Sequence, residues 1–472
     1  NIPNLQADQG IYATVKNSDP QPRFVSGKPR AELVGKYGGV FEPSYIELRR
    51  LVRVGGFESD LRLLSPGEFH ADSSELFQML RKGHHGVKLD DEAWDRLSVW
   101  VDLNTPCHGT WRDIVGLERT RNDHRRRLDL RNLYGGIIDD PEIYPDMPAD
   151  RIEPVMPEHA ARVETSIPEV AGWPFDSSEA VRRQTALGST ERTIDLGGGV
   201  KLDLVRIPAG EFIMGDSRGG SDEQPLSRVK IGKSFWIGKF EITNEQYAKF
   251  DPSHDSKFEH KGSWVFSERH LGWLLNKPEQ PVVRVSWKEA LEFCRWLSAR
   301  SGENISLPTE AQWEWACRAG TAGDFYYGKT DDDFSPYANM ADVTIKELAY
   351  DTDGRHTMDL VPREARFDDG CLVTAEVGRY RPNAWGLYDM HGNVWEWTRS
   401  QYESYPYRPD EGRNSILADG RKSARGGSWR DRPKHCRSAV RLDYPAWQKV
   451  YNVGFRIIIE SDSPAERFAS SK

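Results

Sequence analysis

Apolar and polar residues along this chain change rhythm several times, and each change marks an element. After Gly197-Gly198-Gly199, apolar residues alternate through Leu202 and Leu204 to Ile207, the period-two pattern of a hairpin strand. Pro208-Ala209-Gly210 turns the chain into another strand from Glu211 to Met214. Helical spacing follows at 244–250 and 287–298, the second placing Ala290, Leu291, Cys294 and Leu297 on one face. Thr309, with Gln312 three residues on, carries the capping-box signature of a third helix start. Beyond Arg318 the periodicity fades into long loops. A stretch so poor in regular structure has to be held by something else, such as bound metal or stacked aromatics.

Upstream, residues 1–135 read as an extended, Pro- and Gly-punctuated arm followed by a small helical domain. Leu76, Phe77 and Leu80 recur at helical spacing up to the turn Gly83-His84-His85-Gly86. Asp90 or Asp91 is placed to cap a helix running through Trp94, Leu97, Val101 and Leu103, which Pro106 stops. Residues 136–192, rich in Pro, Asp and Glu, predict an extended connector closed by a short helix from Ser177 to Ala186. Residues 193–460 then form the principal domain, and 461–472 a flexible tail.

Composition narrows the function classes. A formal charge of −9 argues against nucleic acid, which needs a basic face to neutralise phosphate. The run Arg125-Arg126-Arg127 is interrupted nearby by Asp123 and Asp129, as on a solvated helix face. No apolar run is long enough to span a bilayer. Sixteen tryptophans concentrate apolar area in core or binding sites. The five cysteines are widely spread and odd in number, so no disulfide framework can be read, and Cys294 and Cys317 fall in helical apolar patterns as small buried hydrophobes. There is no Cys-x-x-Cys-His, so covalent haem is not expected. Gly426-Gly427-Ser428 lacks the frame of a nucleophile elbow.

Six ordered motifs carry a resemblance: Ile207-Pro-Ala-Gly-Glu-Phe-Ile-Met-Gly215, Phe240-Glu-Ile-Thr-Asn-Glu-Gln-Tyr247, Pro281-Val-Val-Arg-Val-Ser-Trp287, Leu307-Pro-Thr-Glu-Ala-Gln-Trp-Glu-Trp315, Gly386-Leu-Tyr-Asp-Met-His-Gly-Asn-Val-Trp-Glu-Trp397, and Arg425-Gly-Gly-Ser-Trp429 with Gly454-Phe-Arg456. Residues 193–460 resemble the sulfatase-modifying-factor, or formylglycine-generating-enzyme-like, domain. The resemblance implies an α/β (α+β), loop-rich, C-type-lectin-like fold, in bacterial relatives often periplasmic or at the cell surface. The first region is more loosely similar to a segment of planctomycete-type proteins such as the alpha subunit of hydrazine synthase, through Ser74-Glu-Leu, Gly83-His-His-Gly, Trp100-Val-Asp-Leu-Asn104 and His108-Gly-Thr-Trp111.

By the same resemblance, one calcium site maps to Asp389, Gly392, Val394 and Glu396, and a second to Asn339, Met340, Asp369 and Cys371, with Met340 and Cys371 serving through backbone oxygen. Calcium takes six to eight hard oxygens, which suits loops mixing carboxylates and carbonyls. The alternative reading has Asp389 and Glu396 capping loops and pairing with arginines. The oxidase of this family holds Cu(I) between two thiolates, and those positions fall on Asp431 and Cys436. A carboxylate cannot stand in for a thiolate on this soft ion, so copper and formylglycine chemistry are not expected. A ligand surface is implied around Trp395, Ser428, Trp429, Arg430, Arg437 and Arg441, suited to a peptide, carbohydrate or anionic group. For Arg441 and Arg456 a buried role tying loop carbonyls together stands as an equal alternative. Three functional readings remain open: a calcium-stabilised binding or structural module, an enzyme using Cys436 as a redox or nucleophilic thiol, and a subunit of a larger extracytoplasmic assembly that docks a protein partner through residues 1–192.

Overall fold

In a computed structural model, the described residues are 11–16, 19–28, 33, 39–53, 68–107, 117–140, 143, 169–260, 272–349 and 359–460. The motif His108-Gly-Thr-Trp111, most of the connector and the 461–472 tail lie outside them.

The N-terminal arm is a small antiparallel sheet: β1 (Ile11–Lys16) lies between β2 (Asp19–Ser26) and β3 (Gly39–Phe41). Helices follow at α1 (Pro43–Arg50), α2 (Glu75–Arg81), α3 (Asp91–Asp102) and α4 (Leu117–Gly135). Asp90 is the cap of α3, its side chain accepting from Ala93 N at 2.8 Å. Val52, Ala71, Leu76, Phe77 and Val101 form a small core of their own, with Trp94, Leu97 and Trp100 packed around it.

Residues that precede 193 pack onto the principal domain. Helix α5 (Ser177–Thr185) buries Ala180, and the segment before it puts Trp173 and Phe175 against Phe212, Trp315 and Trp385. The hairpin β4 (Glu191–Gly197) and β5 (Val200–Ile207) continues through β6 (Gly210–Met214), β7 (Ser227–Ile231) and β8 (Phe235–Gly238). After the single turn α6 (Asn244–Tyr247) come β9 (Phe258–His260), β10 (Gly272–Leu274), α7 (Trp287–Ser301), β11 (Ile305–Ser306) and α8 (Glu310–Arg318). Both long helices start on capping boxes, Ser286 with Glu289 and Thr309 with Gln312. Residues 319–394 have no strand and only one short 3-10 turn among those described. Then β12 (Trp395–Gln401), β13 (Arg421–Arg425), β14 (Arg441–Pro445), β15 (Val453–Gly454) and β16 (Ile458–Glu460) complete the domain.

Two sheets frame the core. One has the order β11-β16-β8-β5-β4, the other β14-β13-β12-β15. Between them α7 and α8 bury Phe293, Leu297, Trp313 and Trp315. A fully buried indole or phenyl removes roughly 150–250 Å² from water, so these aromatics carry much of the domain's apolar stabilisation. The long loops are fastened by ions as well: Glu310 and Glu314 on α8 hold Arg425 and Arg441 on the facing strands.

Candidate functional site

The C-terminal loops converge where β13 ends. Gly426 and Gly427 both take positive φ, 102° and 80°, and a Cβ on Gly427 would collide with Cys436. The two glycines thus let the strand turn tightly over that thiol. Ser428 follows, fully buried, and its hydroxyl hydrogen-bonds the Asp431 carboxylate and accepts from Asn452 Nδ2 at 2.8 Å. Trp395 Nε1 donates to the same Asp431 oxygen at 2.8 Å. Burial pushes the Asp431 carboxyl above its usual range, against the bond from Ser428.

Cys436 sits beneath this turn with no exposed surface, among Phe325, Phe334, Ala338 and Met340. Its Sγ is 3.7 Å from the Asp431 carbonyl oxygen and 4.0 Å from that of Ser428. Burial, with the Asp431 charge beside it, pushes the thiol well above its ordinary value. A reactive thiol needs the opposite setting. The neighbouring imidazole of His435 lies 3.1 Å from Glu75 instead. Nor do these residues fit a two-sulfur copper centre: the first position is a carboxylate engaged by an indole and a hydroxyl, which leaves Cys436 as the single thiol of the two positions.

Most residues expected around a ligand surface lie inside the domain. Trp395, Ser428, Trp429 and Arg441 are buried, not a solvent-facing rim. Arg441 lies against Glu310, with Nε–Oε1 2.5 Å and Nη2–Oε2 3.1 Å, so it takes the loop-tying role. Arg456 does the same with Glu396 at 2.6 and 2.5 Å and with the Gly238 carbonyl at 2.9 Å. Arg437 is engaged by Asp216 and Glu223, 2.7–2.8 Å away. Arg430 and Arg437 keep partial exposure, and Arg430 lies 3.2 Å from Glu259. Each cation already has a carboxylate from its own chain.

The two expected calcium segments meet. Asn339 bridges Gly392 in a parallel pair, and its carbonyl accepts from Asn393 N at 2.8 Å. Asp389, at φ 57°, is buried; one carboxylate oxygen accepts from Gly378 N at 2.8 Å and the other has no partner among the described residues. Burial raises its pKa to about 6. Glu241, which the sequence reading passed over, is buried nearby, with one oxygen accepting from Asn393 Nδ2 at 3.1 Å and the other unpartnered. Burial and then the Asp389 charge push it well above the usual carboxylate range. Its only sequence signal was a carboxylate between Phe240 and Ile242, apolar on both sides. Glu396 differs, because Arg456 and Trp313 already engage it.

At the second segment Asp369 accepts from Met340 N at 2.8 Å and Cys371 N at 2.9 Å, and Asn339 Oδ1 is a buried oxygen without a partner among the described residues. Burial and the adjacent Asp342 carboxylate raise Asp369 to about 8. The unpartnered atoms are all hard oxygens, which is the donor chemistry of calcium and not of copper. Among the described residues no three His, Cys, Asp or Glu side chains are arranged to hold a metal by themselves, so a cation here would draw on carbonyls such as those of Gly392 and Val394.

The sulfatase-modifying factor enzyme 1-like domain matches residues 200–461. The chain belongs to this family. It is 30% identical over 308 residues to the formylglycine-generating enzyme of Streptomyces coelicolor, covering 55% of this chain and 89% of that one. It is 32% identical over 251 residues to the inactive C-alpha-formylglycine-generating enzyme 2 of Bos taurus, covering 45% and 75% respectively. Among solved structures it is similar to PvdO from Pseudomonas aeruginosa, at 26% identity and a TM-score of 0.44, over 57% of this chain and 98% of that one. The mixed helix-and-sheet, loop-rich architecture agrees with the formylglycine-generating-enzyme fold expected of the family. No described helix is long and apolar enough to cross a membrane.

Proposed function

We propose that this protein is a non-oxidase member of its family, a calcium-stabilised binding or structural module working outside the cytoplasm. The observation that carries the reading is Asp431: the first thiolate position is a carboxylate whose oxygen is bonded by Trp395 and Ser428. A single buried thiol with a raised pKa leaves Cu(I) without the sulfur pair it prefers. Relatives of both kinds, a formylglycine-generating enzyme and an inactive one, fit a family in which the fold outlives the oxidation.

Calcium is supported by the unpartnered oxygens of Glu241, Asp389 and Asn339. Asp389 and Asn339, with the carbonyls of Gly392, Val394, Met340 and Cys371, would hold the ion, and Glu241 and Asp369 would supply charge. When bound, the ion neutralises carboxylates that burial otherwise drives towards protonation. Elemental analysis of the purified chain tests both halves of the reading. One or two calcium per chain without copper is expected, and stoichiometric copper would sink it. Asp431→Cys is the companion test: the variant should gain Cu(I) in competition with a chelator such as bicinchoninate, where the parent chain does not.

A further inference from the structure

The N-terminal helices lie on the turn just described, and they meet it through charge. The Arg53 guanidinium is buried, 2.7 Å from Glu259 and 3.4 Å from Glu68, stacked 3.7 Å over the Tyr451 ring and 4.2 Å over Phe69. Glu68 grips Arg284 through bonds of 2.5 and 2.9 Å. Glu75, in the first turn of α2, reaches Arg432 at 2.6 Å and His435 at 3.1 Å. Gln78 donates to the Asp443 carbonyl at 2.9 Å, and Lys82 lies 3.2 Å from Asp222. Beneath them, Tyr451 packs edge-on against Trp429, and Arg432 and His435 lie within the Asp431–Cys436 stretch. Carboxylates and a guanidinium of the chain itself therefore fill the places where an outside ligand would meet these arginines and aromatic faces.

Among the described residues, apolar contact across this seam is confined to a small cluster in which Ile46 of α1 and Ala13 meet Leu360. The cluster around Leu76, Phe77 and Val101 is separate from the two clusters of the family domain. An obligate interface is rich in apolar area, whereas a polar one between bodies with their own cores resembles a contact that can open. We propose that residues 43–53 and 68–82 are a built-in occupant that closes the face around Tyr451, Trp429 and Asp431, with Arg53 its anchor and Glu75 its latch. An outside macromolecule reaches that face only when the occupant lifts. The proposal is independent of what metal the domain holds.

Hydroxyl-radical footprinting of the full-length chain tests it, reading Tyr451 against Trp313, which lies in the domain core. In the parent chain both should be protected. Arg53→Glu and Glu75→Arg should each raise labelling of Tyr451 by about tenfold while Trp313 stays protected, as local opening without global unfolding does. The exchange Glu75→Arg with Arg432→Glu restores an ion pair between part-exposed groups and should return Tyr451 towards parent labelling. Three results would overturn the proposal: Tyr451 unchanged in both single variants, Tyr451 and Trp313 rising together, or no recovery in the charge exchange.

Discussion

Replacing Glu310 by Gln tests whether the arginines of the C-terminal half serve the fold or a ligand. Glu310 is completely buried, and its carboxylate accepts from Arg441 Nε at 2.5 Å and Nη2 at 3.1 Å, from Arg425 Nη1 at 3.3 Å and from Ser423 at 2.8 Å. With Glu314 it faces three guanidinium groups, those of Arg318, Arg425 and Arg441. The amide is nearly isosteric, so no cavity opens. It does remove the one charge opposite Arg441 and turns an NH2 towards a guanidinium. Breaking a buried pair by neutralising one partner costs roughly 3–5 kcal/mol. At about 2–4 °C per kcal/mol for a domain of this size, the melting temperature should fall by about 10 °C. Urea unfolding followed by tryptophan fluorescence reads the change, because Trp313 and Trp315 lie on the same helix as Glu310. Arg408→Ala, at an exposed pair with Glu411, is the control and should move stability by less than about 0.5 kcal/mol. A Glu310→Gln loss below about 1 kcal/mol would refute the reasoning, since Arg441 would then have to be compensated from outside the chain.

Other outcomes follow from the same structure. Gly427→Ala should cost about 2–5 kcal/mol by denaturant titration, combining a side chain at positive φ with overpacking against Cys436. Under native conditions an alkylating reagent should modify the half-buried Cys107 and Cys371 first, and Cys436 only on unfolding, as mass spectrometry of digests would show. Acidification should weaken the seat of the N-terminal region in two steps. Burial holds His260 down to about 4, so its contribution is complete above about 6.5 and is lost as pH falls towards 4, at most about 3 kcal/mol. Burial pushes Glu68 up, but the bonds from Arg284 and the Arg53 charge outweigh it and hold the carboxyl at about 2, so its share is complete above about 4.5 and goes as pH falls towards 2. A pH series of labelling at Tyr451, which lies in this seat, checks it, and protection rising between pH 6.5 and 4 would contradict it.

What could be read from the sequence was what depends on neighbours. The Thr309–Gln312 box, the Asp90 cap and the apolar stripe of residues 287–298 involve residues three or four apart, and each formed as expected. The N-terminal arm was read as extended, but its three-stranded sheet depends on pairings between short strands with no alternation to announce them. The prolines of the connector gave no sign that Trp173 and Phe175, near its end, dock into the second core. At the site, the position of Asp431 was legible from the motif, whereas its partner Trp395 lies 36 residues away. Glu259 and Arg53, 206 residues apart, carry no mutual signal in one sequence. The carboxylates that engage Arg430, Arg437 and Arg441 escaped notice for the same reason, since each lies more than a hundred residues away in the chain.

The order of strands in the five-stranded sheet has a consequence for how the molecule is made. β16 lies between β11 and β8, yet it is the last strand of the domain to leave the ribosome. Until Ile458–Glu460 emerges, β8 and the hairpin behind it present an open edge, and β11 has no strand neighbour among the described residues. Some 250 residues of nascent chain must wait with tryptophan-rich surfaces unburied, at an elongation rate of about 5–20 residues per second. Such long-range closure is slow and exposes the intermediate to aggregation. Synthesis of this domain therefore favours an environment where unfinished chains are shielded, and a chain cut before Ile458 would lack the strand that joins β11 to β8.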